Sequence, residues 1–285
     1  MKTLEGRVIK GVASKFSVDT PEGVKTCFAR KKLKADGTIY VGDRVELAKE
    51  RDAYVIENVL PRANCLVRPY VANIDVCVIV IAAEPQPDFM LVDKVIVNCL
   101  EQGITPVLAA NKSDIAIADT REYNSVCECV RCSAETGEGI DAIVSAIRGK
   151  TACFAGQSAV GKSSIINSVL DSPLLEVGEL ARKTKRGRHT TRRTEILPLG
   201  DGTYFVDTCG FSMLEAVDIL PGELRLYYDD FERYRPECRF NSCTHLDEPD
   251  CAVKPHVGKE IGAGRYERYK LIYSELDERR KNKYD

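Results

Sequence analysis

Thr151-Ala152-Cys153-Phe154-Ala155-Gly156-Gln157-Ser158-Ala159-Val160-Gly161-Lys162-Ser163-Ser164 is the stretch on which the fold turns. Residues 151–155 read as a buried strand, and Gly161 to Leu170 reads as a helix. Between them, Gly156 to Ser163 fits G-x-x-x-x-G-K-[ST]. Glycines let backbone N–H groups close around phosphates, and a helix N-terminus adds its partial positive charge. Lys162 is placed to reach β- and γ-phosphates and Ser163 to ligate Mg²⁺, while Gln157, Ser158, Ala159, Val160 and Ser164 complete the cradle.

Working outward, strand and helix alternate. Val76 to Ala82 is a buried-strand run, Phe89 to Gln102 reads helical, and Thr105 to Ala110 is a second apolar strand. Glu128 to Cys132 and Tyr204 to Asp207 read as further strands, with a helix from Gly139 to Ile147. That rhythm predicts a parallel sheet flanked by helices, an α/β P-loop domain.

The phosphate loop does not by itself choose a base. Asn111-Lys112-Ser113-Asp114, at a strand end, does. The Asp114 carboxylate can accept from guanine N1–H and the 2-amino group, a donor pair that adenine lacks. Asn111 would tie the base edge to the loop, and the Lys112 stem would lie along the base face. Ser133-Ala134, after another strand, would supply a backbone N–H to guanine O6. Asp207-Thr208-Cys209-Gly210 gives D-x-x-G, in which Asp207 holds Mg²⁺ through water and the Gly210 N–H senses the γ-phosphate.

Phe211 follows, where Ras-like enzymes carry the glutamine that orients the attacking water, so unaided hydrolysis should be slow. Between phosphate loop and D-x-x-G, Gly187-Arg188-His189-Thr190-Thr191-Arg192 stands where switch I belongs. Thr190 or Thr191 would ligate Mg²⁺ when the γ-phosphate is present, and His189 could position water. The base-recognition residues precede the phosphate loop, whereas in Ras-like GTPases they come last. The domain is therefore expected to be circularly permuted.

Two further units flank it. Gly6 to Asp19, Val24 to Ala29, Thr38 to Leu47 and Tyr54 to Val59 read as short strands of a small closed barrel such as an OB-fold. After Leu220 the texture becomes polar, aromatic and Cys/His-bearing, and a charged helix follows from about Ala263 to Lys283. The expected units are a barrel over 1–66, a GTPase domain over 67–220 and a mostly helical zinc-binding domain over 221–285. The last has too few apolar residues to fold unaided.

Cys238-x4-Cys243-x-His245-x5-Cys251 offers four soft or borderline ligands, the donor set of one closed structural Zn²⁺ site that would supply the missing folding energy. Cys127, Cys129 and Cys132 have no nearby histidine and read as structural cysteines. Twelve cysteines spread over 285 residues with a sizeable core suit reduced thiols better than a secreted disulfide scaffold. With no apolar leader, and no apolar run approaching the ~20 residues of a membrane span, a cytoplasmic protein with no membrane partner is expected.

A net charge of −2 gives no global nucleic-acid signature, so any such surface must be local. Basic residues cluster at Arg30, Lys31, Lys32 and Lys34, through Arg182 to Arg193, and along the tail at Arg265, Arg268, Lys270, Arg279, Arg280 and Lys281. One cluster lies inside the switch and one on a barrel type that binds nucleic acids, which favours an RNA partner.

Taken together, the barrel, N-K-S-D, C-S-A, G-Q-S-A-V-G-K-S-S, G-R-H-T-T, D-T-C-G-F, the Cys3His segment and the Arg265-Tyr266-x-x-Tyr269 tail resemble the ribosome small subunit-dependent GTPase A family (YjeQ/RsgA) along essentially the whole chain. The resemblance implies an OB-fold, a permuted GTPase and a zinc domain. It also implies binding to the small ribosomal subunit and its 16S-type rRNA late in assembly, with subunit-stimulated hydrolysis of GTP to GDP allowing release. It makes His189 catalytic and Cys238, Cys243, His245 and Cys251 the zinc ligands, in a protein expected to be monomeric. Cys209 departs from the proline usual in the family, and the tail is short. The competing expectation, favoured by Phe211, is a nucleotide-gated RNA-binding module with negligible turnover. A GTP-using enzyme acting on a small molecule has no further acid, base or nucleophile constellation to support it.

Overall fold

The computed structural model describes residues 4–12, 14–30, 33, 38–50, 53–67, 70–175, 194–207 and 217–282. Strands β1 (Leu4–Val12), β2 (Lys15–Asp19), β3 (Lys25–Ala29), β4 (Arg44–Glu50) and β5 (Ala53–Val59) close into a barrel in the order β1-β2-β3-β5-β4. β3 and β5 pair in parallel and the other neighbours antiparallel, the arrangement of an OB-fold. Val8, Val18, Cys27, Val45, Leu47 and Ile56 fill the interior.

The sequence expectation differs from this in two places. Gly6 to Asp19 is two strands paired antiparallel, and the strand expected from Thr38 starts only at Arg44. Before it, the fully buried Asp43 accepts the backbone N–H of Tyr40 and binds Arg62, which holds 38–43 as a loop. A hairpin of β6 (Cys65–Val67) and β7 (Tyr70–Ala72) follows. Strands of three residues are too short to show a period-two pattern, so this hairpin was not expected.

The second sheet contains β8 (Val76–Ala82), β9 (Thr105–Asn111), β10 (Glu128–Arg131), β11 (Thr151–Ala155), β12 (Glu195–Pro198) and β13 (Tyr204–Asp207), in the order β10-β9-β8-β11-β13-β12. All pairs are parallel except β12 with β13. Every residue of β8 is buried because helices cover both of its faces. Val76, Val78, Val80 and Ala82 face α2 (Ile140–Ile147) and α3 (Lys162–Asp171), while Cys77, Ile79 and Ile81 face α1 (Phe89–Glu101).

The chain leaves β8 for β9 on one side and β11 for β12 and β13 on the other, so the strand order reverses between β8 and β11. In an open α/β sheet, the crevice at the carboxyl ends of such a strand pair is where ligands bind. The phosphate loop lies there.

The barrel rests on the far edge of this sheet. Lys10 pairs with Glu195 at 2.9 Å, the Tyr204 hydroxyl donates to Asp19 at 2.9 Å, and the Arg7 guanidinium lies 4.7 Å from the Tyr204 ring centroid. The C-terminal unit contains single helical turns, a short helix α4 (Asp229–Glu232) and the long α5 (Ala263–Asn282). Its core joins Leu224, Tyr228, Phe231, Tyr266, Tyr269, Ile272 and Leu276 to Val97 of α1. The unit thus completes its core with a residue of the neighbouring domain.

Ion pairs seal the same contact. Arg265, fully buried, binds Asp93 of α1 and Asp230 of α4, and Arg268 binds Asp93 and Glu122. Burial disfavours the charge on Arg265, but the carboxylates of Asp93 and Asp230 outweigh it and hold its pKa above the ordinary arginine value. This corrects the reading of the tail as one basic surface: Arg265 and Arg268 are internal. Lys270 and Lys281 pair with Glu267 and Asp277. Among the described residues, no helix is long and apolar enough to cross a membrane.

Candidate nucleotide-binding site and metal centre

Asn111, the last residue of β9, is 2% exposed, and its carboxamide joins three motifs. Nδ2 donates to Val160 O of the phosphate loop at 2.9 Å, and Oδ1 accepts from Ala134 N at 3.1 Å. A buried amide with both ends satisfied locks its neighbours in register. Gly161, at φ +90°, is the position that permits it: a Cβ there would stand 2.4 Å from Asn111 Nδ2.

Lys112 stretches across the same gap, with Nζ donating to Ala159 O and Glu84 O, both at 2.9 Å. Asp114 is exposed, as a carboxylate that reads a base must be, and the hydroxyl of fully buried Ser133 steadies it by donating to Oδ1. Ser113 turns inward and donates to Glu138 Oε2 at 2.9 Å. The structure therefore brings Asn111, Lys112, Ser113, Asp114, Ser133 and Ala134 together beside the phosphate loop.

The loop itself follows β11 and opens into α3, with Gly161 as the N-cap. Lys162 Nζ donates to Gly156 O at 2.6 Å and Gln157 O at 2.5 Å, which holds the ammonium over the loop. Burial lowers its pKa below the usual lysine value. The Gln157 carboxamide is clamped in turn, accepting from Asp88 N at 2.6 Å and donating to Gln86 O at 2.9 Å. Ser163 and Ser164 occupy the first turn of α3. β13, ending at Asp207, runs parallel to β11, so the chain at Asp207 reaches the edge of the sheet that carries the loop. The side chain of Asp207, and His189, Thr190, Thr191 and Gly210, lie outside the described residues.

Sequence reasoning missed the segment 84–88 and Glu138. The first carried a signal, since Pro85 and Pro87 bracket a short connection between β8 and α1, directly ahead of the crevice.

In the C-terminal unit, one ligand atom from each of Cys238, Cys243, His245 and Cys251 lies within 4.8 Å of all the others. His245 Nδ1 is 3.7 Å from Cys238 Sγ and 3.5 Å from Cys251 Sγ. A tetrahedral zinc with ordinary Zn–S and Zn–N bonds has S···N edges of about 3.6 Å. Burial lowers the His245 pKa to about 4, which keeps the ring neutral and able to ligate. Three thiols and a neutral imidazole at these separations can hold one metal ion. Cys127 and Cys129 are half-buried and Cys132 is buried.

A strand-end Asn-Lys-Ser-Asp loop beside a G-x-x-x-x-G-K-S loop, at the switch point of a mainly parallel sheet, is the arrangement of a P-loop GTPase, here with the Asn-Lys-Ser-Asp half first in the chain. Residues 59–217 match the RsgA GTPase family, and the chain belongs to it. "Small ribosomal subunit biogenesis GTPase RsgA" of Caldanaerobacter subterraneus subsp. tengcongensis is 42% identical over 100% of this chain and 99% of its own. The protein of the same description from Agathobacter rectalis is 38% identical over 98% of this chain and 100% of its own. The crystal structure of YjeQ from Thermotoga maritima superposes with a TM-score of 0.82 at 34% identity, covering 96% of this chain and 99% of that one. YloQ, described as a circularly permuted GTPase, gives 0.81 at 29% identity over 98% and 96%. The expectations of a permuted GTPase behind a closed OB-like barrel stand, and the chain is a GTP-hydrolysing enzyme.

Proposed function

We propose that this GTPase binds the small ribosomal subunit and its 16S-type rRNA in the cytoplasm, acts late in subunit assembly as a monomer, and hydrolyses GTP to GDP and phosphate when the subunit stimulates it. The observation that carries the nucleotide part is the Asn111 bridge, which ties base-reading and phosphate-holding loops into one site. The ribosomal part rests on the descriptions of relatives that match the full chain. The working units are 1–66, 67–220 and 221–285.

In this reading Asp114 accepts from the guanine edge, Lys112 lies along the base, and Ser133 and Ala134 stand on the O6 side; their N–H groups, expected to reach O6, donate to Glu138 O and Asn111 Oδ1. Gly156 to Gly161 wrap the phosphates with backbone N–H groups, and Lys162 reaches the β- and γ-oxygens. Ser163, Asp207 and either Thr190 or Thr191 hold Mg²⁺, which neutralises charge on the β- and γ-phosphate oxygens. His189 orients the attacking water that Phe211 cannot. The function is tested by comparing GTP turnover with and without purified small subunits. Stimulation supports it, and turnover that stays negligible with subunits would leave the RNA-binding module instead.

Replacing His189 with alanine should lower subunit-stimulated turnover by about 10²–10⁴-fold with GTP affinity nearly unchanged; single-turnover kinetics beside equilibrium binding checks both. Undiminished turnover removes His189 from the mechanism.

Cys238, Cys243, His245 and Cys251 are proposed to hold one structural Zn²⁺. Elemental analysis should find one zinc per chain. Stripping it with a chelator should make 221–285 sensitive to protease while 67–175 stays protected, because the metal stabilises a unit whose core is small. A metal-free protein that keeps the C-terminal unit protected contradicts this.

A further inference from the structure

The barrel carries a layered stack that the nucleotide site does not use. Asp43, 0% exposed, accepts Arg62 Nε at 2.7 Å and Nη2 at 2.9 Å, and also accepts the backbone N–H of Tyr40 at 2.8 Å. Arg62 Nη2 donates in addition to Thr38 O at 2.8 Å. Held by this fork, the Arg62 guanidinium lies 4.3 Å from the centroid of the Tyr40 ring. Tyr40 also stacks on Tyr70, with ring centroids 5.1 Å apart and planes 6° from parallel. Tyr70 is itself 54% exposed, so the stack of guanidinium and two phenols ends in an open aromatic face.

A lone exposed tyrosine is ordinary. Here two layers, anchored on a buried carboxylate, set the plane of the last ring in advance, and a preset flat π-surface is what a nucleobase stacks on at little ordering cost. A cavity of about 430 Å³ opens beside the pair, walled by Phe16, Leu33, Ile39, Tyr40 and Tyr70, with room for a purine. Leu33 of this wall belongs to the basic sequence run Arg30-Lys31-Lys32-Leu33-Lys34, of which Arg30 pairs with Glu50 and Glu57.

We propose that the ring of Tyr70, presented on Tyr40 and Arg62, is a stacking platform for an unpaired nucleobase of the RNA partner. The proposal rests on the RNA-binding reading above and adds where a single-stranded base is gripped.

The test uses the full chain and a single-stranded RNA 12-mer carrying one 2-aminopurine. Wild type should bind it and quench the fluorescence. Tyr70→Phe, which keeps the π-face, should match wild type within about twofold. Tyr70→Leu, which keeps apolar contact with Tyr40 but not the aromatic face, and Tyr70→Ala should lose roughly five- to a hundredfold in affinity together with the quench. The salt dependence should keep its slope, since phosphate contacts are untouched. GTP binding by each variant confirms that it is folded. Equal affinity for Tyr70→Leu and wild type, equal loss in Tyr70→Phe, preference for a duplex of the same sequence, or no binding by wild type would each overturn the platform. Co-sedimentation of wild type with small subunits is scored separately. Subunit binding without any Tyr70 effect on the 12-mer overturns the platform and spares the proposed function; loss of subunit binding by wild type overturns the function.

Discussion

Asp114→Asn should exchange the guanine preference of the site for a xanthine preference. The carboxylate is exposed and steadied by Ser133, so both of its oxygens have a defined direction. An asparagine amide presents one acceptor and one donor, which clashes with the guanine 2-amino group and matches the 2-oxo group of xanthine. Two hydrogen bonds to a charged acceptor are worth roughly 3–6 kcal/mol. GTP affinity should therefore fall by about 10²–10⁴-fold, and xanthosine triphosphate should bind better than GTP. Competition between the two triphosphates against a fluorescent GTP analogue measures it. Unchanged GTP affinity would mean that another residue reads the base.

The second large effect is expected far from any nucleotide. Arg265→Ala should destabilise the contact between the C-terminal unit and the GTPase domain by about 3–5 kcal/mol. The wild-type guanidinium binds Asp93 and Asp230, which are 0% and 4% exposed at the side chain. Removing it leaves Asp230 buried without that partner and Asp93 with Arg268 and the Tyr123 hydroxyl. Arg265→Lys should recover only part of the loss, because an ammonium cannot reproduce the planar fork. Adding Asp230→Asn to Arg265→Ala should recover more, since it removes the stranded charge. Protection of α5 amides from hydrogen exchange reports the opening directly; equal protection in wild type and Arg265→Ala would show that apolar packing around Tyr228 and Tyr269 carries the contact alone.

That arginine also shows where sequence stopped being informative. Read locally, Arg265 is one of several basic residues on a charged helix, and nothing within a few residues separates a buried guanidinium from a solvated one. Its partner lies 172 residues earlier. The available signal was on the other helix, where Asp93 interrupts the apolar positions Val92, Val95 and Ile96. A carboxylate on a face built for burial demands a cation.

The nucleotide motifs behaved differently because their chemistry is local: the phosphate loop needs its glycines in order between a strand and a helix, and Asn-Lys-Ser-Asp needs only a strand end. What joins them was not legible. The Asn111 bridge to Val160 spans 49 residues and exists only once β9 and β11 lie in one sheet with β8 between them. In the barrel, turn spacing signalled a run of short strands but merged β1 with β2, and the start of β4 was misplaced because buried Asp43 organises the preceding loop from the side. The same loop holds Tyr40, on which Tyr70 stacks. The catalytic expectation for His189 lies outside the described residues, so it stays a proposal.

The order of the strands in the chain has a consequence during synthesis. β8, β9 and β10 with α1 between the first two occupy residues 76–131, ahead of the phosphate loop at 156. Neighbouring strands here are close in sequence, so this half-sheet forms from short-range contacts and can assemble as it leaves the ribosome. Asn111 to Asp114 and Ser133-Ala134, proposed above to read the base, are therefore synthesised before Gly156 to Lys162, proposed to grip phosphate. Under the proposed function, nucleotide capture must wait for β11, whose pairing with β8 sets the phosphate loop beside Asn111.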